Sequence, residues 1–317
     1  MRAFVTRQLP DAALDLIREV AETEVWAGDL PPSREALAAG AAEADGLLCL
    51  LTDRVDAALL EAAPRLRVVS QMAVGYDNID VPACTARGIA VGNTPGVLTE
   101  TTADLAFALL LATARRLAEA EQDLRGGRWL TWSPLQWTGP DVHSAVLGIV
   151  GLGRIGFEVA RRAHGFQMEI LYAGRNRNEA AEREFGAKHV ELDTLLAASD
   201  FVSVHTPLNA ETRTLFGAAQ FAQMKPTAIF INTARGGVVD QAALVEALKA
   251  KQIAAAGLDV FEVEPLPLDD PLLQLPNVVL LPHIGSASLA TRTRMAVLAA
   301  ENLVAGLQGR PLPHPIN

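Results

Sequence analysis

At ~100–200 residues per domain, 317 residues suggest two domains. Hydrophobic residues make up 50% and charged residues 20%, which excludes an intrinsically disordered chain. A formal net charge of −10, from 27 basic and 37 acidic residues, argues against attachment to nucleic acid or an anionic membrane by bulk charge.

Cys49 and Cys84 stand apart in sequence, with no CxxC spacing and no nearby histidine. They exclude a disulfide scaffold and a zinc knuckle, no metal site is expected, and they fit a reducing compartment as small buried hydrophobes. The opening MRAFVTRQLP has no apolar core of a secretory signal, and the longest apolar run, residues 105–114, is too short for a span of ~20 residues. A cytoplasmic protein is expected.

In chain order, AFVTR, TEVWA, DGLLCLL, RVVSQMAV and GIAVGN read as strands, with helical stretches such as DAALDLIREV and VPACTARG between them. This is the βαβ pattern of a small parallel-sheet domain that ends near Thr94-Pro95-Gly96. One long helix is predicted over residues 99–124, opened by Thr99 and stopped by Gly126-Gly127. RWLTWSPLQWTGPDV follows without a clear period and holds three of the four tryptophans, as an arm packed on another chain would. A second strand series then runs VLGIVGLG, EILYAG, FVSVHTP, AIFINTA, AAAGLDVF and NVVLLPHIG, before a helix, ATRTRMAVLAAENLVAGLQG, and the tail RPLPHPIN.

The strand run at Val146 leads into Gly151-Leu152-Gly153-Arg154-Ile155-Gly156 and then an amphipathic helix. A GxGxxG between strand and helix predicts a dinucleotide turn. Gly151 permits the tight turn, Gly153 lets a pyrophosphate approach the backbone, and Gly156 lets helix and strand pack closely. The helix N-terminus offers free N–H groups to the anion. About 20 residues on, the next strand ends in Gly174-Arg175-Asn176-Arg177. No carboxylate stands there for the ribose hydroxyls of NAD. Arg175 can clamp a 2′-phosphate, with Asn176 and Arg177 as further donors, so NADPH is expected, with NADH as the weaker cofactor.

Three residues follow strands of the second series, where open parallel sheets do their chemistry. They are Arg235 in TARGG, Glu264 in GLDVFEVEP and His283 in LPHIGS. These motifs, in this order after GLGRIG, resemble the D-isomer-specific 2-hydroxyacid dehydrogenase family across essentially the whole chain. VGYDNID, NTPGVLTETTADLAFALLLATARR, WSPLQW and HIGSAS are similar to its glyoxylate/hydroxypyruvate reductase branch.

The resemblance implies two doubly wound parallel-sheet domains with an interdomain cleft. A flavodoxin-like substrate domain would cover 1–98 and 285–317, and a Rossmann-type NAD(P) domain would cover 99–284, with a dimerisation arm at about 126–142. It implies His283 as acid/base, Glu264 as its carboxylate mate and Arg235 as the substrate clamp. Asp259 is a tuning residue or a structural cap. Val74 and Gly75 would bind the substrate carboxylate, Leu51 and Ser286 would line the pocket, and Trp137 would reach the partner subunit, with Trp132 and Gln136 as alternatives. The cofactor would also meet Thr102, Thr206, Pro207, Thr233, Ala234 and Gly285. Homodimeric reduction of small 2-oxo acids by NADPH is thus expected. D-3-phosphoglycerate dehydrogenase, phosphite dehydrogenase and a dinucleotide-sensing, corepressor-like scaffold remain the alternatives.

Overall fold

The computed structural model describes all residues, Met1–Asn317, in two compact units. One comprises Met1–Leu98 with Ser286–Asn317, the other Thr99–Gly285.

In the first unit, strands β1 (Arg2–Val5), β2 (Glu22–Val25), β3 (Gly46–Cys49), β4 (Val68–Gln71) and β5 (Ala90–Gly92) alternate with helices α1 (Asp11–Arg18), α2 (Arg34–Ala42), α3 (Ala57–Ala62) and α4 (Val81–Ala86). The sheet is parallel in the order β2-β1-β3-β4-β5, the flavodoxin-like order. β3 and β4 are buried at every residue because apolar clusters lie on both faces, which is why β3 reads as a continuous apolar run rather than an alternating one, while β4 also buries the polar Ser70 and Gln71. The tail pairs back on β5, with Ile316 N donating to Val91 O (2.7 Å) and Val91 N to Asn317 Oδ1 (2.8 Å).

The second unit begins with helices α5 (Thr99–Ala114) and α6 (Leu117–Arg125). Strands β6 (Val146–Val150), β7 (Glu169–Ala173), β8 (Lys188–His189), β9 (Phe201–Val204), β10 (Ile229–Asn232), β11 (Ala255–Leu258) and β12 (Val278–Leu280) follow. Their helices are α7 (Arg154–Gly165), α8 (Glu179–Phe185), α9 (Leu192–Ala198), α10 (Ala218–Gln223) and α11 (Gln241–Lys249); α12 (Leu289–Leu307) belongs to the first unit. The order β12-β11-β10-β9-β6-β7-β8 reverses direction between β9 and β6, the doubly wound arrangement that leaves a crevice at the carboxyl ends of those two strands. Phe216, Phe221 and Phe230 pack under one face with centroids 4.9 to 6.2 Å apart, in contacts worth about 0.5–1.5 kcal/mol each beyond area burial.

The single helix expected over 99–124 is two helices. The chain breaks at Arg116, which adopts the left-handed conformation (φ 52°), and its guanidinium bonds Glu119 and reaches Thr138 O. The chemistry changes at the same point. α5 buries Ala103, Ala106, Phe107, Leu109 and Leu110, whereas α6 buries nothing. β8, only two residues long, was too short to show a period in the sequence. No helix is long and apolar enough to cross a membrane.

Candidate active site

The turn after β6 is built by backbone contact. Gly151 has φ 94°, and a Cβ there would lie 2.8 Å from the carbonyl carbon of His205 at the end of β9. The first helical hydrogen bond of α7 runs from Phe157 N to Gly153 O (2.9 Å), so the N–H groups of Arg154, Ile155 and Gly156 precede it, and no side chain caps them. At Gly153 a Cβ would meet nothing within 4 Å. That open space beside free N–H groups is a cradle for an anionic group such as a pyrophosphate.

At the end of β7, Arg175 is 76% exposed, and its nearest charged partner is Glu211, at 3.6 Å and also exposed. Arg177, expected to add donors for a phosphate, is instead engaged by Glu182 (2.7 Å). Glu182 also accepts from the Tyr172 hydroxyl (2.5 Å). These two hydrogen bonds pull its carboxyl down to about 2. The sequence marked Arg177 by position, but this local ion pair takes its guanidinium. Asn178 is fixed too: it caps α8 and donates to Leu152 O (3.0 Å), tying the β7 end to the glycine turn.

Arg235, Glu264 and His283 come from the ends of β10, β11 and β12. Asn232, buried at the end of β10, accepts from Ala234 N (3.0 Å) and donates to Arg235 O (3.0 Å), shaping the turn that presents the guanidinium. Gly236 then lies so close to the next loop that a Cβ would fall 1.8 Å from the Phe261 carbonyl. Backbone contact thus locks the Arg235 loop to the loop bearing Glu264. The Thr233 hydroxyl beside them is buried and has no partner in the chain.

Glu264 is held at both oxygens: Oε1 accepts from Phe261 N (2.9 Å), and Oε2 lies 2.7 Å from His283 Nδ1. This orients the imidazole and leaves Nε2 as the nitrogen that Glu264 does not engage. Burial pushes the Glu264 carboxyl up. The His283 hydrogen bond and charge, the Phe261 amide and the Arg235 guanidinium outweigh it and hold the carboxyl below its ordinary range.

His283 itself sits at φ 54°, a conformation L residues seldom adopt. Asp259 maintains it. The Asp259 carbonyl accepts from His283 N (2.9 Å), and its fully buried carboxyl accepts from Ile284 N (2.7 Å) and Gly285 N (2.8 Å). Asp259 is therefore a clamp on the HIG turn, and burial raises its pKa against those two hydrogen bonds. Thr102, buried on α5, packs beside Gly285.

A second strand-end histidine, His205, stands in FVSVHTP at the end of β9, where no motif marks it. Its ring bonds Ser203 Oγ (2.8 Å), and burial pushes it down to about 4, so it is neutral near neutral pH. Thr206 and Pro207 follow it at the crevice.

In the first unit, Leu51 lies on the turn after β3, and Val74 and Gly75 lie on the loop after β4. Ser286 opens the stretch leading to α12. On the arm of the second unit, Trp137 donates its indole N–H to Asp123 (2.9 Å), whereas Trp132 and Leu135 are 76% and 81% exposed. Gln136 donates its N–H to Ser133 O (3.3 Å).

Two nucleotide-fold sheets, a glycine turn and an arginine–glutamate–histidine set at neighbouring strand ends define a dinucleotide-dependent dehydrogenase of the doubly wound class. Residues 107–285 match the model of the D-isomer specific 2-hydroxyacid dehydrogenase NAD-binding domain. The chain is 55% identical to a glyoxylate reductase of Korarchaeum cryptofilum, over the whole chain and 96% of that protein. It is 51% identical to glyoxylate/hydroxypyruvate reductase B of Shigella boydii, over 98% of the chain and 96% of the relative. Among solved structures, an NADPH-dependent glyoxylate/hydroxypyruvate reductase of Sinorhizobium meliloti, in complex with NADP and malonate, superimposes with a TM-score of 0.87 at 36% identity, covering 99% of this chain and 96% of that one. The protein belongs to the D-isomer-specific 2-hydroxyacid dehydrogenase family. Its cofactor is a nicotinamide dinucleotide, which the open cradle at Gly153 and the unpartnered Thr233 hydroxyl fit.

Proposed function

We propose that this protein is a glyoxylate/hydroxypyruvate reductase with a preference for NADPH, yielding glycolate and D-glycerate. The 2.7 Å His283–Glu264 pair, on a loop locked against the Arg235 turn, carries this reading. The relatives' activities support the substrate class.

The cofactor supplies a hydride to the carbonyl carbon. The chain does the rest. Arg235 spans the carboxylate and carbonyl oxygens with its planar fork and polarises the carbonyl. His283 gives a proton from Nε2 to the oxygen that becomes the hydroxyl, and Glu264 favours the charged ring that can give it. The loop of Val74 and Gly75 takes the substrate carboxylate through its N–H groups, and Leu51 and Ser286 line the pocket. Gly151, Leu152, Gly153, Arg154, Ile155 and Gly156 hold the pyrophosphate. Gly174, Arg175 and Asn176 hold the 2′ end, and Thr102, Thr206, Pro207, Thr233, Ala234, Asp259 and Gly285 border the nicotinamide half.

Because a Cβ at Gly153 meets nothing in the free chain, Gly153→Ala is expected to leave the melting temperature unchanged. The same substitution should weaken NADPH binding about tenfold or more in a fluorescence titration. Arg175→Ala should raise KM for NADPH by about tenfold and KM for NADH by much less, since only the former carries the 2′-phosphate. Equal effects on both cofactors would contradict the preference.

Reduction consumes a proton, so the rate falls as pH rises. Glu264→Gln removes the negative charge beside the proton donor and should move that alkaline fall to lower pH, and an unchanged pH profile would contradict the pairing. Because its pKa is depressed in the folded chain, Glu264 contributes stability that is present above its unfolded value and lost as pH falls through the lowered one.

The exposed Trp129, Leu130, Trp132 and Leu135 of the arm support a homodimer that covers them. Trp137 is assigned to the partner's pocket, its bond to Asp123 fixing the base of the arm, with Trp132 as the exposed alternative. Two free, buried thiols, Cys49 and Cys84, support a cytoplasmic location.

A matrix of initial rates tests the assignment: glyoxylate, hydroxypyruvate, pyruvate and 3-phosphohydroxypyruvate, each with NADPH and NADH. The first two with NADPH should give the highest kcat/KM. A maximum with 3-phosphohydroxypyruvate would reassign the substrate, and no turnover with any pair would leave a dinucleotide-binding scaffold.

A further inference from the structure

Within the first unit, two loops proposed to meet substrate are joined by a buried amide, Gln71, and a half-buried one, Asn78. The side chain of Asn78 donates through Nδ2 to Leu50 O (3.1 Å) and Asp53 O (2.8 Å), which flank Leu51 and Thr52. Its Oδ1 accepts from Gln71 Nε2 (2.8 Å), and its main-chain oxygen accepts from Val55 N (2.9 Å). Gln71 is fully buried at the end of β4; its Nε2 also reaches Gly75 O (3.3 Å), and its Oε1 accepts from the Cys49 thiol (3.1 Å). Asp53, itself buried, accepts from Leu50 N (2.8 Å) and the Thr6 hydroxyl (2.5 Å), which closes the 50–53 turn from the other side.

The consequence for the 73–78 loop follows from peptide planarity. The carbonyl of Val74 accepts from Asn93 Nδ2 (2.8 Å), and that of Gly75 from Gln71. In a trans peptide the N–H of the next residue points the opposite way, so the N–H groups of Gly75 and Tyr76 are turned away from the amides that hold those carbonyls. The chain gives neither N–H an acceptor, although it binds both carbonyls. Carbonyls pinned inward beside undonated N–H groups make a nest for an anion.

We propose that Gln71 and Asn78 are positioning residues for the substrate carboxylate, an amide pair that fixes the 50–53 turn against the 73–78 loop and sets the direction of the Tyr76 N–H group, while Asn93 sets that of Gly75. The proposal rests on the reading of this protein as a 2-oxo acid reductase. It places neither side chain on the substrate itself. Their effect should therefore appear in substrate binding and leave the nucleotide untouched.

Two variants and one control test it. Asn78→Asp keeps size but turns an oxygen toward the carbonyls of Leu50 and Asp53, and Gln71→Met removes the donor to Gly75. Both are expected to raise KM for glyoxylate, by about tenfold and about threefold, with a smaller fall in kcat and NADPH affinity within about twofold. Ser70→Ala, which deletes a buried hydrogen bond from the same strand to Ala299 O (2.7 Å), should lower the melting temperature and leave KM alone. An unmoved KM in either variant that still melts cooperatively and binds NADPH overturns the proposal, as does a Ser70→Ala KM that rises equally.

Amide hydrogen exchange on the wild-type chain needs no variant. With NADPH present, oxamate, an unreactive analogue that keeps the carboxylate and adjacent carbonyl of a 2-oxo acid, should slow exchange across 73–77, and unchanged exchange there overturns the proposal. Wild-type turnover of glyoxylate is measured alongside. Its absence removes the proposed function, whereas turnover with unmoved variant KM values removes the positioning role alone.

Discussion

His283→Ala is expected to reduce kcat for glyoxylate by roughly 10²–10⁴-fold, the usual contribution of a positioned proton donor, with the dissociation constant for NADPH within about twofold of wild type. The separation of the two effects is the informative part. The ring is held by Glu264 at Nδ1 and by the Asp259 clamp on its backbone, and the glycine turn proposed for the pyrophosphate is built by β6, β7 and α7. Alanine also removes a side chain at φ 54° without creating a buried cavity, since the His283 side chain is 30% exposed. A stopped-flow measurement of NADPH oxidation, paired with a fluorescence titration, checks both quantities. A variant retaining most of its turnover would place the proton donor elsewhere.

Arg235→Ala should lower kcat/KM by about 10³-fold, because in the proposed mechanism one guanidinium binds the carboxylate and polarises the carbonyl. Arg235→Lys is expected to recover little of this. An ammonium is a point charge that cannot span two oxygens in a plane, and the turn made by Asn232 and Gly236 fixes where the side chain starts. The comparison of lysine with alanine separates charge from geometry. Full rescue by lysine would mean that only the charge matters.

Much of this architecture was readable before any coordinates. Strands buried on both faces leave largely apolar runs, so β3, β6, β9 and β10 announced themselves, and the glycines of residues 151–156 marked the turn between β6 and α7. Motif order also marked which strand ends bear Arg235, Glu264 and His283. Their mutual geometry was not readable, because residues far apart in sequence meet only through sheet order; the 2.7 Å bond between His283 and Glu264 is a property of β11 and β12 lying side by side.

Local ion pairs were not legible from position alone: Arg177 stands where a phosphate donor is expected, and Glu182, one turn into α8, pairs with it. The break at Arg116 was hidden for a different reason: an unbroken helical composition carries no sign of a left-handed residue that is not glycine. Asp259 was ambiguous in sequence between tuning and structure, and its two hydrogen bonds to Ile284 and Gly285 resolve it as a clamp. Gln71 and Asn78 gave no signal at all, since an amide on a buried strand and one in a polar loop are each ordinary until their partners are known.

The most direct test is a crystal structure of the protein with NADPH and oxamate bound. The account predicts His283 Nε2 and the Arg235 guanidinium both within about 3 Å of the oxamate carbonyl oxygen, with the reduced nicotinamide ring facing its carbonyl carbon. Oxamate bound away from these side chains, or an imidazole whose Nε2 points away from it, would contradict the account.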